Sequence, residues 1–444
     1  MKRFTLITLL TAIVLLFRSI GIGFTKEDTG YRLSELHVAI ISDIHVMAPE
    51  LLVNEGPAFD DYLRQDRKML KESPLILDEL TRQLIDLHPQ VVLLTGDITK
   101  DGEEASHRYV REHCVDLLQA HGIAVLVIPG NHDINNPHAV AYDGQHTQRV
   151  KTITPEEFAH IYADYGYGNA LARDEHSLSY VYQLTPQVRV LALDACEYEL
   201  NDFDQDLCRH EGRLKPETLA FAEEQMADAR RQGMYVIGMM HHGLIEHWKY
   251  QERLIPGYVV DDHKHIARRL SRAGLEVIFT GHAHTQDIVC EHGIYDIETG
   301  STVSYPSPYR TAELKGTTLS VHTHHVAHID YDTGGVDLQL YGREATAGGF
   351  RSIAGPLLPD HLPQDLRERA LAFGAEAMCN NYAGDEELTY AERTEINEIC
   401  RELRRYSWKW SFLFGRITRS VLHDKNTADN ELLIDIDRRR RSEQ

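Results

Sequence analysis

The chain has 444 residues, a formal net charge of -22, 42% hydrophobic residues and 26% charged residues. That length exceeds one average domain and predicts a large catalytic domain with an accessory piece. The acidity argues against binding to nucleic-acid polymers, which needs a basic stripe to displace counterions from phosphates. An anionic substrate would then be drawn by something local and cationic, such as bound metal ions, unless the acidity serves only solubility.

Lys2 and Arg3 precede an uninterrupted apolar or hydroxyl run from Phe4 to Phe17. A run of that length suits the core of a signal peptide and falls short of the ~20 residues that span a bilayer. Arg18 follows, and Gly21-Ile22-Gly23 offers small residues near a cleavage point. Residues 1–24 therefore read as a signal peptide or a retained N-terminal anchor. The chain is expected to be exported, either secreted or associated with a membrane through this segment and facing outside. No cysteine lies in the stretch, which argues against a lipid-anchored lipoprotein.

Further along, five segments share one form, a short apolar run that stops at a cluster of ligand-type residues. Leu36–Ser42 runs into Asp43, Val91–Thr95 into Gly96-Asp97, and Ile123–Pro129 into Gly130-Asn131-His132-Asp133. Tyr235–Met240 runs into His241-His242, and Leu275–Thr280 into Gly281-His282-Ala283-His284. Continuous apolar runs predict strands buried on both faces. Between the first two, Ser73 reads as an N-cap and Pro74 as a first helical residue, with Ile76, Leu80, Leu84 and Leu87 at helical spacing up to His88-Pro89. Strands alternating with helices predict an α/β sheet whose site lies beyond the strand carboxyl ends.

Past Ser301, Thr317–His328 and Val336–Tyr341 read as strands completing a second sheet. From about Leu362 the pattern is helical: Leu366, Ala370 and Phe373 make one stripe, and Ile396, Ile399, Cys400 and Leu403 another. A capping box at Thr389 and Glu392 opens the second stripe. The expected organisation is a catalytic domain over 33–345 and a helical C-terminal domain over 355–440, with Arg438–Arg441 as a solvated tail. Of the six cysteines, none forms a C-x-x-C pair. Cys196 with Cys208, and Cys379 with Cys400, are close enough to close small loops as disulfides, and six free thiols are the equal alternative.

Collected in order, the strand-end clusters are Asp43-x-His45, Gly96-Asp97, Gly130-Asn131-His132-Asp133, His241 and Gly281-His282-x-His284. Singly, Asp43 or Asn131 could be a turn residue and His45 a surface histidine; jointly, that reading loses. Carboxylate, amide and imidazole donors suit two divalent ions such as Mn, Fe or Zn. Seven candidates from five strand ends are too many for one ion. Either His241 or His242 could face the site. The histidine-rich run His322, His324, His325 and His328 reads as a strand over the core, and His263 and His265 as a solvated loop. The long connections 46–72 and 134–179 are expected to set substrate choice, with Asn135 and Tyr142 lining the pocket.

This ordered set resembles the calcineurin-like metallophosphoesterases, whose pattern is D-x-H, G-D, G-N-H-[D/E], H and G-H-x-H. All five blocks stand in order, without a ligand substitution, over about residues 36–330. The resemblance implies a four-layer α/β/β/α sandwich with a small C-terminal helical domain. It implies one ion on Asp43, His45, Asp97 and His284, and another on Asp97, Asn131, His241 and His282, with Asp97 shared. It implies phosphoric ester hydrolysis by a hydroxide held between the ions, with His132 stabilising charge or protonating the leaving oxygen and Asp133 orienting His132.

The export-type N-terminus, the helical extension and the segments DYLRQDRKML and YADYGYGNALARDEHSLSYV are most similar to bacterial cyclic-nucleotide phosphodiesterase-type members. The implied substrate is a small-molecule phosphodiester such as 3′,5′- or 2′,3′-cyclic AMP. Phosphomonoesters, nucleotides and envelope glycerophosphodiesters are the alternatives. A non-catalytic scaffold of the same fold is a further one, set against the intact ligand set.

Overall fold

The unbroken apolar runs become central strands, because a strand covered on both faces has no polar side to alternate. In the computed structural model, which describes residues 33–384, 386–423 and 428–436, these strands belong to two facing sheets. The first has six strands in the spatial order Glu431–Asp435, Thr318–His325, Pro308–Gly316, Leu33–Ile41, Val91–Leu94 and Ala124–Val127. The last three run parallel, with Ile41 opposite Leu94 and Leu94 opposite Val127. The second has seven, in the order Asp287–Glu291, Ile294–Glu298, Val277–Thr280, Tyr235–Met240, Val188–Leu193, Tyr180–Thr185 and Ala172–Arg173. Its centre is parallel too, with Met240 opposite Leu193 and Met239 opposite Phe279.

Alternation along the second sheet separates two apolar layers. Val190, Ile237, Met239 and Phe279 join the first sheet in one core, whereas Leu191, Leu193, Met240 and Ile278 pack against helices Pro216–Arg231 and His263–Ala273. Helix Ser73–Leu87 buries Ile76, Leu77, Leu80 and Leu84 against the first sheet. Each such leucine contributes about 1.5–3 kcal/mol by leaving water. The result is the α/β/β/α sandwich expected.

Several local expectations change. Ser73 lies inside its helix and does not cap it; its Oγ accepts from Met47 N and donates to Leu70 O. Val336–Tyr341 alternates like a strand, but the Asp337 side chain accepts from Leu340 N and starts a helix, Leu338–Ala354. His263 and His265 open the amphipathic helix His263–Ala273, with His263 buried.

The C-terminal region holds helices Gln364–Ala383, Tyr390–Leu403 and Trp408–Val421, and the capping box of Thr389 with Glu392 is present. Leu366, Ala370, Ile399 and Leu403 form one apolar cluster among them, and Ile396 and Val421 join Trp248 in another. The region is not helical throughout. Glu431–Asp435 returns as an edge strand beside Thr318–His325, with Glu431 opposite His322. The N-terminal apolar run and the Arg438–Arg441 tail lie outside the described residues, and no helix among those described is long and apolar enough to cross a membrane.

Helix Leu338–Ala354 docks by close approach: at Gly349 an added Cβ would collide with the backbone carbonyl of Asp66. Gly349→Ala is therefore expected to lower unfolding stability by about 1–3 kcal/mol, read as a lower denaturant midpoint at unchanged slope. An unchanged midpoint would mean that this contact carries no weight.

Candidate metal centre

Parallel strands that stop together bring their following residues to one edge. Asp43 lies two residues past Leu33–Ile41, Asp97 and Asn131 follow the next two strands of that sheet, and His241 directly follows Tyr235–Met240. His282 and His284 follow Val277–Thr280. The loops stay bonded past the strands: Asp43 N donates to Gly96 O and His45 N to Asp97 O, each at 3.0 Å. Asp43, His45, Asp97, His282 and His284 all have positive φ, a conformation that costs non-glycine residues free energy and concentrates at functional sites. At Gly130 a Cβ would strike the Asp97 backbone nitrogen and carboxylate, so only glycine lets these two loops meet.

All the expected ligand residues converge. Asp97 Oδ2 lies 3.6 Å from His45 Nε2 and 3.4 Å from His241 Nε2, so one carboxylate oxygen faces both halves of the cluster. On one side His284 Nε2 is 3.3 Å from Asp43 Oδ1 and 3.2 Å from His45 Nε2. On the other, His241 Nε2 is 3.2 Å from Asn131 Oδ1, and the rings of His241 and His282 are 4.8 Å apart. Asp43-His45-His284 and Asp97-His241-His282 are each grouped closely enough to hold an ion, and so is His45-Asp97-His132. Burial would raise the Asp97 pKa, but the imidazoles of His241 and His132 hold it well below the usual carboxylate range.

The donors fit divalent cations. Asp43 Oδ1 is buried and makes no hydrogen bond, and a buried carboxylate oxygen without a partner is costly unless a cation meets it. Outer hydrogen bonds decide which nitrogens face inward. His241 Nδ1 lies 2.9 Å from Thr95 O, leaving Nε2 for the site. His282 Nε2 lies 3.1 Å from Gly257 O, leaving Nδ1. His242 is the wrong neighbour: its Nε2 lies 3.0 Å from His210 O, and burial, with His241 beside it, pushes its pKa down to about 3.

His132 reaches the cluster edge-on to His45, with ring centroids 4.9 Å apart. Its orienting partner is Asp101 and not Asp133. His132 Nδ1 is 2.9 Å from Asp101 Oδ1 and 2.8 Å from Lys100 O, which leaves Nε2 for the site. Asp101 is also paired with Lys100, and Lys100 lies 3.6 Å from Glu103. The Asp133 carboxylate turns back into the loop instead and accepts from Ile98 N, Thr99 N, Thr99 Oγ1 and Gly130 N at 2.8–3.1 Å. Burial and the Asp97 charge push Asp133 up to about 6. A buried residue accepting four hydrogen bonds holds a loop; it does not steer a ring. The signal for Asp101 was present as a second aspartate four residues past Asp97.

Other expected residues stand elsewhere. Tyr142 is 1% exposed and packs on Phe59 and Tyr62, with Lys100 over its ring. The Asn135 carbonyl accepts from Asn201 Nδ2 at 3.2 Å. His324 stacks on Tyr309 and bonds Thr311, as a residue of a paired strand. All six cysteines are free thiols. Cys208 Sγ is directed at Asn131 O and Cys196 Sγ at Pro129 O, while Cys379 Sγ is directed at Arg343 O and Cys400 Sγ at Ser411 O, so neither bridge forms.

A family model described as calcineurin-like phosphoesterase matches residues 36–286. No curated protein matches the sequence. Similar solved structures include a dimetal phosphatase from Danio rerio, with 16% identity, 65% of this chain and 95% of that chain covered, and a TM-score of 0.48. A purple acid phosphatase from yellow lupin has 13% identity, coverage of 66% and 52%, and a TM-score of 0.39. A putative 5′-nucleotidase from Staphylococcus aureus has 14% identity, coverage of 70% and 58%, and a TM-score of 0.37.

The two aspartates flanking His132 should separate experimentally. Asp101→Asn is expected to keep its metal content and lose roughly 10–100-fold in turnover, with Glu103 still available to Lys100. Asp133→Asn is expected to lose about 1–3 kcal/mol of stability in denaturant unfolding. The reverse pattern would restore Asp133 as the partner of His132.

Proposed function

The chain belongs to the calcineurin-like phosphoesterase family, and we propose that it is a phosphoric ester hydrolase with a two-ion centre acting on small phosphodiesters, cyclic nucleotides among them. The observation that carries this reading is Asp97 Oδ2, set between His45 and His241. On this proposal Asp43, His45, Asp97 and His284 hold one divalent ion, and Asp97, Asn131, His241 and His282 hold the other. The mixed oxygen and nitrogen donors suit Mn, Fe or Zn. When bound, two such ions supply a water ionised near neutral pH and positive charge against the phosphoryl oxygens.

The protein's own residues do the rest. Thr95 O and Gly257 O fix the ring orientation of His241 and His282. Asp101 fixes that of His132, whose Nε2 is free to donate to the oxygen that leaves phosphorus. Against burial, the Asp97 and Asp101 carboxylates raise the His132 pKa. The diester choice is supported by the resemblance of residues 61–70 and 162–181 to cyclic-nucleotide phosphodiesterase-type members. A second reading, phosphomonoester hydrolysis, is favoured by Arg67 and Lys68, two cations close to the centre that would suit a dianion. Export belongs to the same proposal and rests on Lys2, Arg3 and the run to Phe17.

Protein loaded with Mn is expected to hydrolyse bis(p-nitrophenyl) phosphate and to lose that activity on chelation. His132→Ala is expected to retain its metal and lose about 10²–10⁴-fold in kcat. Metal-loaded protein that turned over neither this diester, nor phosphomonoesters, nor cyclic nucleotides would sink the hydrolase reading.

A further inference from the structure

The connection after Asp43-x-His45 ends in a turn, Asp66 to Met69, that places two consecutive cations beside the centre. Its backbone is held from the C-terminal side. Ser304 Oγ and Thr346 Oγ1 donate to Arg67 O at 3.3 and 3.2 Å, and Met69 N donates to Val303 O at 2.7 Å. The Arg67 guanidinium lies 5.4 Å from the centre of the Phe350 ring, against the Tyr258 hydroxyl and near Tyr382.

The same rings reach the candidate ligands. Tyr258 lies 5.0 Å from the His282 ring, Tyr382 lies 6.1 Å from His284, and Phe350 lies 5.2 Å from Tyr382. Arg67 is thus one aromatic ring away from a histidine on each side of the cluster. Lys68 is 9% exposed, with its ammonium 3.5 Å from Asp66 Oδ2. Its charge bears on His45, His132 and His284.

Among the described residues Arg67 has no carboxylate within ion-pair distance; the Asp66 carboxylate that pairs with Lys68 bears on both cations. Two cations beside a place for two divalent ions repel them, at an energy that rises as the surroundings exclude water. An anion lying between the two sets of charge turns that repulsion into attraction. A guanidinium presents a planar fork matched to two oxygens of a phosphoryl group, and an ammonium acts as a point charge.

We propose that Arg67 and Lys68 bind the phosphoryl oxygens that take no part in the displacement, and that helices Leu338–Ala354 and Gln364–Ala383 help to hold this pair in place and wall the pocket with Phe350 and Tyr382. The ligand is a phosphate or phosphate-ester group with a free anionic oxygen. The inference rests on the phosphoester reading above, so its test uses binding and not turnover. These two helices are then part of the substrate site: Leu338–Ala354 reaches Arg67 through Thr346 and Phe350, and Gln364–Ala383 reaches His284 through Tyr382.

Inorganic phosphate is titrated calorimetrically into the full chain loaded with Mn. Arg67→Met and Lys68→Met are each expected to weaken phosphate binding about 10-fold or more, with Mn stoichiometry unchanged. Arg67→Lys, which keeps the charge and loses the fork, is expected to fall between. Unchanged affinity in both methionine variants, or no phosphate binding by the native protein, would overturn the proposal. Native protein that binds phosphate through Arg67 and hydrolyses no ester would leave the clamp standing and remove the hydrolase reading. Ester hydrolysis with a phosphate affinity unchanged in both methionine variants would do the opposite.

Discussion

The Asp97 carboxylate is the constraint on which the rest of the structure turns. It is 1% exposed, Oδ2 faces His45 and His241, and Oδ1 accepts the His132 backbone N–H at 2.9 Å. A buried anion in that position is tolerable only among cations or strong donors. The surrounding imidazoles supply part of that stabilisation, and the donor set around them fits divalent ions for the remainder. The positive φ at Asp43, His45, Asp97, His282 and His284 adds strain of roughly 1–3 kcal/mol per residue. Two facing sheets with a continuous core give the rigidity that holds such a cluster together.

Around that carboxylate the loops divide their work. One holds position: Asp133 gathers Ile98, Thr99 and Gly130 so that the Asp97 loop and the Asn131-His132 turn stay in contact. Another sets direction: Asp101 and the backbone carbonyls of Thr95 and Gly257 decide which nitrogen each ring presents. Two helices late in the chain also reach this cluster: Leu338–Ala354 sets the Phe350 ring 5.4 Å from the Arg67 guanidinium, and Gln364–Ala383 sets the Tyr382 ring 6.1 Å from that of His284.

Much of this was legible in the sequence, for a physical reason. An apolar run that stops at a polar cluster marks both a buried strand and its end, so the five candidate blocks announced themselves, and His45, Asp97 and His284 lie together at that end. The partner of His132 was not legible, because Asp133 is its neighbour along the chain. The turn after Gly130 sends that carboxylate backwards while Asp101 arrives from another loop. Val336–Tyr341 misled because alternation over six residues does not reveal the cap at Asp337. Glu431–Asp435 was missed because a five-residue edge strand after three helices carries little periodicity of its own. Cysteine spacing says nothing about direction, and the thiols of Cys196 and Cys208 turn to different carbonyls.

The most direct test is a count of metal ions in the protein and in Asp97→Asn, each loaded with Mn and freed of excess. Two ions per chain are expected in the native protein and a clear loss in the variant, whose amide can no longer serve both sides as a shared anion. Two ions retained in Asp97→Asn, or one or none in the native chain, would contradict a two-ion centre that shares Asp97.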